Sequence, residues 1–196
     1  MLRIAALALA SSALLAFPAM AQDSTPMPTD KPANAPSDGM KSGMQNNMEP
    51  VTVEMKSADG GSAGTVTVTP TPHGLLLKAD LTNIADGEHG FHVHETGVCE
   101  GDFTSAGGHY NPTDKDHGYM AEGGYHAGDM PNFTATNGAA TFETLAPALT
   151  LTGGDAPLND ADGSAIMVHG GADDYTSQPS GDAGERVACG VVYSAQ

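Results

Sequence analysis

The sequence predicts an all-β domain of about eight short antiparallel strands, folded as a sandwich or barrel and carrying two long functional loops. Three observations predict it. From Pro50 onward apolar and polar residues alternate at period two, glycine-rich turns separate the alternating runs, and no helical periodicity longer than one turn follows residue 21.

The elements follow in chain order. Val51, Val53 and Met55 alternate with polar residues, and Gly60-Gly61 ends the run. Val66 and Val68 repeat the pattern before Pro70. Leu75 to Leu81 and Phe91 to His94 supply two further strands. Phe133 to Thr136 and Ala139 to Phe142 flank Asn137-Gly138, a strong hairpin signal because both turn positions tolerate positive φ. Ile166 to His169 and Val187 to Tyr193 complete the set. The segments 97–132 and 170–184 are too long and irregular for simple turns. Long ordered loops on a rigid β scaffold are where function usually sits.

Composition narrows the function. The chain has 196 residues, with 24 Asp+Glu against 7 Lys+Arg and a net charge of −17. So few cations argue against binding a phosphate backbone or an anionic lipid surface. On net charge alone, an anionic small molecule also looks disfavoured. Before the β domain, Met1-Leu2-Arg3, an apolar run from Ile4 to Phe17 and Ala19-Met20-Ala21 read as a secretory signal peptide over 1–21, too short to span a bilayer. A buried N-terminal helix is the lesser alternative. Residues 22–49 read as a disordered Met- and Pro-rich linker, leaving the domain at 50–196. Met27, Met40, Met44 and Met48 carry soft thioethers. A flexible spacer is the favoured reading of this stretch over a copper-collecting arm. Export would place the chain in the periplasm, where the even pair Cys99 and Cys189 favours one disulfide over free thiols or a metal pair.

Seven of the eight histidines lie between His89 and His169. His92 and His94, at i and i+2 of one strand, leave the same face and form a pre-organised half-site. His109, His117 and His126 follow in the first long loop, with Asp129 three residues on, and His169 closes a later strand. Six imidazoles and one carboxylate exceed one four-ligand site yet fall one short of two. An imidazole bridging two metals through both nitrogens would close the count. His73 reads as solvent-exposed in a turn, and His89 as structural.

His89-Gly-Phe-His-Val-His94, Ser105-Ala-Gly-Gly-His-Tyr-Asn-Pro112, His126-Ala-Gly-Asp129, Met167-Val-His169 and Gly184-Glu-Arg-Val-Ala-Cys-Gly190 together resemble the copper–zinc superoxide dismutases, in their exported bacterial form. The resemblance runs from about Pro50 to the C-terminus and implies an eight-stranded antiparallel Greek-key barrel. It implies copper held by His92, His94, His109 and His169, and zinc held by His109, His117, His126 and Asp129, with His109 shared. Asp173 matches the carboxylate joining a copper-ligand histidine to a zinc-ligand histidine. Arg186 matches the arginine that receives the anion beside copper, and Cys99–Cys189 matches the family disulfide. The implied substrate is superoxide, dismuted to dioxygen and hydrogen peroxide with His109 passing a proton. The resemblance is compatible with a monomer or a homodimer; the leader, with no other apolar run long enough to span a bilayer, predicts no membrane anchor, and the acidity predicts no nucleic-acid partner.

One departure stands out. From Leu81 onward the only basic residues are Lys115 and Arg186, and Thr96 stands where relatives can carry lysine. Weaker electrostatic steering is expected. Lys115 reads equally well as a solvated loop residue. A copper/zinc store or copper-delivery protein on the same fold is the alternative function, and a β domain binding only zinc a more distant one.

Overall fold

Alternation decides the first three strands. In β1 (Val51–Ser57), Val53 and Met55 are buried while Thr52, Glu54 and Lys56 are exposed. β2 (Ser62–Thr71) buries Ala63, Val66 and Val68, and β3 (Gly74–Thr82) buries Leu75, Leu77, Ala79 and Leu81. The phase slips between Ala63 and Val66, beside a bulge where Met55 pairs Gly64 but Lys56 pairs Ser62. The computed structural model describes residues 49–196. The predicted leader, and the predicted linker up to residue 48, lie outside the described residues.

The remaining strands are β4 (Gly87–His89), β5 (Phe91–His94), β6 (Phe133–Ala135), β7 (Ala139–Ala146), β8 (Ser164–His169) and β9 (Arg186–Tyr193). Seven form one sheet in the order β5-β8-β9-β1-β2-β3-β7, every pair antiparallel, while β4 and β6 pair separately. The chain leaves β3 and returns beside it only at β7, the long return of a Greek key. The described residues thus hold nine strands where the pattern predicts eight. The extra one is β4, split from β5 at Gly90. That glycine gives its N–H to Gly171 O (2.8 Å) and accepts from His169 N (2.9 Å), which turns the chain from β6 towards β8.

The Asn137-Gly138 turn forms with φ of 54° and 77°, the signature of a tight hairpin. It closes through a single bridge, Thr136 to Ala139, and then opens as a corner, β6 running to β4 and β7 to β3. Residues 147–163 form a third long irregular segment that the sequence pattern does not single out. Its Leu149, Leu151, Ala156 and Leu158 pack into the main core.

Phe91 anchors that core, fully buried and edge-on to Phe142 at 5.1 Å. Burying one such side chain stabilises by about 1.5–3 kcal/mol. Period two then fixes the histidines: because Phe91 and Val93 face the core, His92 and His94 must face away from it. On β8 every residue is buried, since both faces are covered. Ile166 and Val168 join the main core. Ala165 and Met167 join a smaller cluster with Phe103, Ala106 and Cys189. This second cluster holds the loop after β5 against the sheet, and the Cys99–Cys189 disulfide ties that loop to β9 across 90 residues.

Candidate metal centre

The free edge of β5 positions the site. Its backbone is not left unpaired, as Val93 N donates to Gly128 O (2.9 Å) and Val93 O accepts from Tyr110 N (2.8 Å). Bridges His92 to Asp129 and His94 to His109 extend the pairing. A Cβ on Gly128 would collide with Val93 O, so the loop can approach this closely only with glycine there. Two strand histidines and three loop residues, His109, His126 and Asp129, are thereby brought to one place by main-chain bonds.

His109 lies at the centre. Its ring centroid is 4.0 Å from that of His92, 5.1 Å from His94, 5.0 Å from His117, 5.6 Å from His126 and 5.9 Å from His169. Two groups of candidate ligands result, each with its donor atoms within 4.8 Å of one another: His92, His94, His109 and His169, and His109, His117, His126 and Asp129. All seven residues are buried, and His109 belongs to both groups.

Hydrogen bonds fix the tautomers of the first group. His92 Nε2–H donates to Asp173 Oδ2 (2.9 Å), His94 Nδ1–H to Gly107 O (3.1 Å) and His169 Nδ1–H to Gly184 O (3.3 Å). Each ring therefore presents its other nitrogen as a bare lone pair. His92 Nδ1, His94 Nε2, His109 Nε2 and His169 Nε2 are buried without any hydrogen-bond partner. Buried polar atoms of a folded protein are otherwise almost always paired. Four imidazole lone pairs aimed at one point are a donor set suited to copper. Burial, helped by neighbouring imidazoles, keeps three of these rings neutral: His94 is held well below the usual range, His169 falls to about 3 and His109 to about 4. Neutral imidazole is the ligating form.

The second group converges on one carboxylate oxygen. Asp129 Oδ1 lies 2.8 Å from His109 Nδ1, 3.1 Å from His117 Nδ1 and 3.3 Å from His126 Nδ1. Asp129 Oδ2 accepts from Gly118 N (2.9 Å) and His126 N (3.1 Å), so the carboxylate cannot turn away. Three imidazoles and one carboxylate are a set that zinc takes tetrahedrally. Burial would lower His117 and raise Asp129. The facing carboxylates outweigh burial at His117, raising it to about 9, and the bonds from three histidines hold Asp129 far below the carboxylate range.

Asp173 links the two groups. Its Oδ2 accepts from His92, while Oδ1 accepts from His117 Nε2–H (3.0 Å) and Tyr175 N (2.6 Å). Such partners orient ligand rings and raise their basicity. Arg186, on β9, gives Nη1–H to Phe103 O (2.6 Å) and Nη2–H to Gly107 O (2.7 Å). The Gly107 carbonyl thus holds both Arg186 and His94. A cavity of about 530 Å³ opens onto this centre, lined among others by His94, His109, His169 and Arg186.

The two remaining histidines lie outside both groups. His73 is exposed in its turn. His89 is buried, with Nδ1 2.8 Å from His169 O and Nε2 2.8 Å from Ala85 O. Lys115 does not line the cavity. Three positioning residues carry no signal in the sequence. Gln178 clamps the His117 backbone through both amide atoms (2.8 and 2.9 Å), and Asn132 does the same for Asp173 (2.8 and 2.9 Å). Glu95 Oε1 accepts from Gly108 N (2.9 Å). None belongs to a recognisable motif, because each acts on a backbone remote in sequence.

Comparison with known proteins gives a consistent picture. Residues 62–192 match the family described as copper/zinc superoxide dismutase (SODC). The chain is 47% identical over 146 residues to a Cu-Zn superoxide dismutase of Caulobacter vibrioides, covering 72% of this chain and 84% of that protein. It is 44% identical over 137 residues to Cu-Zn superoxide dismutase 1 of Aquifex aeolicus, covering 68% and 81%. Among solved structures, the Cu/Zn superoxide dismutase from Brucella abortus shares 33% identity with a TM-score of 0.60, covering 74% of this chain and all of that one. A SOD-like protein from Bacillus subtilis shares 35% identity with a TM-score of 0.70, covering 72% and 97%.

Proposed function

The chain belongs to the copper/zinc superoxide dismutase family, and on that premise we propose how its own residues perform the dismutation of superoxide. The reaction takes two superoxide anions and two protons to dioxygen and hydrogen peroxide, with the copper couple carrying the electron when bound. His92, His94, His109 and His169 would hold copper, and His109, His117, His126 and Asp129 would hold zinc. The observation that carries this assignment is the four partnerless buried nitrogens of the first group, beside a second group that shares His109.

His109 presents Nδ1 to the second group and Nε2 to the first. Nε2 has no protein partner, so whenever its lone pair is not engaged by copper it is the atom that would take up a proton and hand it to departing peroxide. Arg186 docks the anion. Two of its donors are spent on fixed carbonyls, which aims the guanidinium while leaving its remaining N–H groups for superoxide at the cavity wall. Asp173 holds the His92 and His117 rings in register. A store or delivery protein needs no such anchored arginine, which disfavours that alternative.

Residues 50–196 form the catalytic domain. An export leader over 1–21 and a spacer over 22–49 place it in the periplasm, a reading supported by the Arg3-led apolar run, the Ala19-Met20-Ala21 sequence and the Cys99–Cys189 disulfide. Among the described residues no helix is long and apolar enough to cross a membrane. The test is metal analysis with activity. Protein loaded with both metals should hold about one copper and one zinc per chain, and chelating copper should abolish dismutation until copper is returned. Two zinc ions per chain with no copper uptake would refute the assignment.

A further inference from the structure

Beyond the ligands and Arg186, two carboxylates line the same cavity: Glu95 and Asp114. Both are exposed while the histidines behind them are buried, so they stand at the outer end of the path an anion follows inward. Glu95 does not swing freely. Its Oε1 is held by Gly108 N, and a Cβ on Gly107, whose φ is +73°, would meet that oxygen at 2.6 Å. Arg186 is the only basic side chain in the lining. Lys115, next to Asp114 in sequence, instead runs its stem beside Gly124. The adjoining cavity, which shares Arg186, adds Asp102 and Glu185. Over residues 49–196 there are four basic side chains against twenty-one acidic ones, so the far field has the same sign as the rim.

We propose that Glu95 and Asp114 form an acidic gate at the mouth of the cavity, slowing access of superoxide, so that the rate of this enzyme rises with ionic strength. The inference rests on the dismutase reading and deepens it. A fixed carboxylate near the path repels an anion, and added salt screens that repulsion within a Debye length of about 10 Å at 0.1 M. The gate restrains diffusion, while capture at the centre still depends on Arg186 and the bound metals at short range.

The experiment uses the metal-loaded enzyme at about 10 mM and about 150 mM ionic strength, set with a non-coordinating sodium salt. Catalysis is followed by pulse radiolysis, and binding of azide, as the probe anion, by the visible copper band. The wild type should speed up about two- to fivefold as salt is added. At low salt, Glu95→Gln and Asp114→Asn should each raise kcat/KM and tighten azide by about twofold, and both should flatten the salt dependence. Glu95→Gln retains an oxygen for Gly108 N, and Asp114→Asn tests the same idea without touching that bond. Glu143→Gln, exposed on β7 at the other sheet edge, removes one charge as a control and should change both readouts by less than about 1.2-fold. A rate that falls or stays flat with salt, or gate variants that behave like the control, would overturn the proposal. If no dismutation is seen but azide still tightens in the gate variants, the gate stands and the catalytic reading falls.

Discussion

Replacing Asp173 by asparagine keeps the shape of the side chain but removes its charge and one acceptor. The carboxylate currently takes three donors, His92 Nε2–H at 2.9 Å, His117 Nε2–H at 3.0 Å and Tyr175 N at 2.6 Å, with no exposure of the side chain. An amide has one oxygen for two imidazole N–H groups on opposite sides, so one ring faces a donor and must retilt or change tautomer. The two rings are not equally free to do so. His92 is fixed by β5, paired along its length with β8. His117 sits in irregular chain, held by Gln178 at its backbone and by two carboxylates at its ring. The loop-borne ring should yield, and with it the zinc group. Loss of such a partner lowers metal affinity about ten- to a hundredfold, or about 1.4–2.7 kcal/mol. Competition titration of zinc against a chelator, on protein already holding copper, reads this directly. The expected result is a zinc affinity weakened at least tenfold, with copper affinity changed less. Unchanged zinc affinity, or a loss confined to copper, would refute the argument that Asp173 acts mainly on the loop-held histidine.

Three further outcomes follow from the same geometry. Gly181→Ala should weaken zinc and lower the melting temperature, because at φ +69° a Cβ would collide with Asp173 Oδ1 and lie 2.6 Å from His117 Nε2; wild-type-like zinc titration and calorimetry would count against the contact. Removing the disulfide by Cys99→Ala with Cys189→Ala opens a 90-residue loop and should cost about 4–5 kcal/mol in denaturant unfolding, while loosening the Phe103 and Gly107 carbonyls that hold Arg186. The metal-free protein should lose stability on acidification. His109 and His169 have pKa values lowered by burial to about 4 and about 3, so the stability tied to their neutral forms is complete above about 6.5 and drains as pH falls towards those values. Asp129 and Asp173, both depressed, add a second loss below about pH 4. A melting temperature flat between pH 7 and pH 4 would contradict this.

The strands were legible because their physics is local. Alternation at Val51, Val53 and Met55 or at Leu75, Leu77, Ala79 and Leu81 needs no knowledge of the partner strand, and Asn137-Gly138 specifies its own turn. β4 was not legible as a separate strand, since its break at Gly90 comes from bonds to Gly171 and His169, eighty residues away. Residues 147–163 hid for a related reason: Leu149, Leu151 and Leu158 are buried by packing against other elements, without a period of their own. In the site, the histidine types and order were readable. The bonds that orient them were not, because Gln178, Asn132 and the Gly107 carbonyl act through space on groups distant in sequence. Net charge alone made an anionic substrate look disfavoured. Within the cavity the acidity comes down to two carboxylates, Glu95 and Asp114, which share its lining with Arg186.

Pulse radiolysis of protein loaded with copper and zinc follows the dismutation of superoxide at the centre built around His109. Superoxide decay should be first order, with a rate proportional to copper-loaded protein, unchanged through many turnovers. Decay no faster than with the metal-free chain at the same concentration would contradict it.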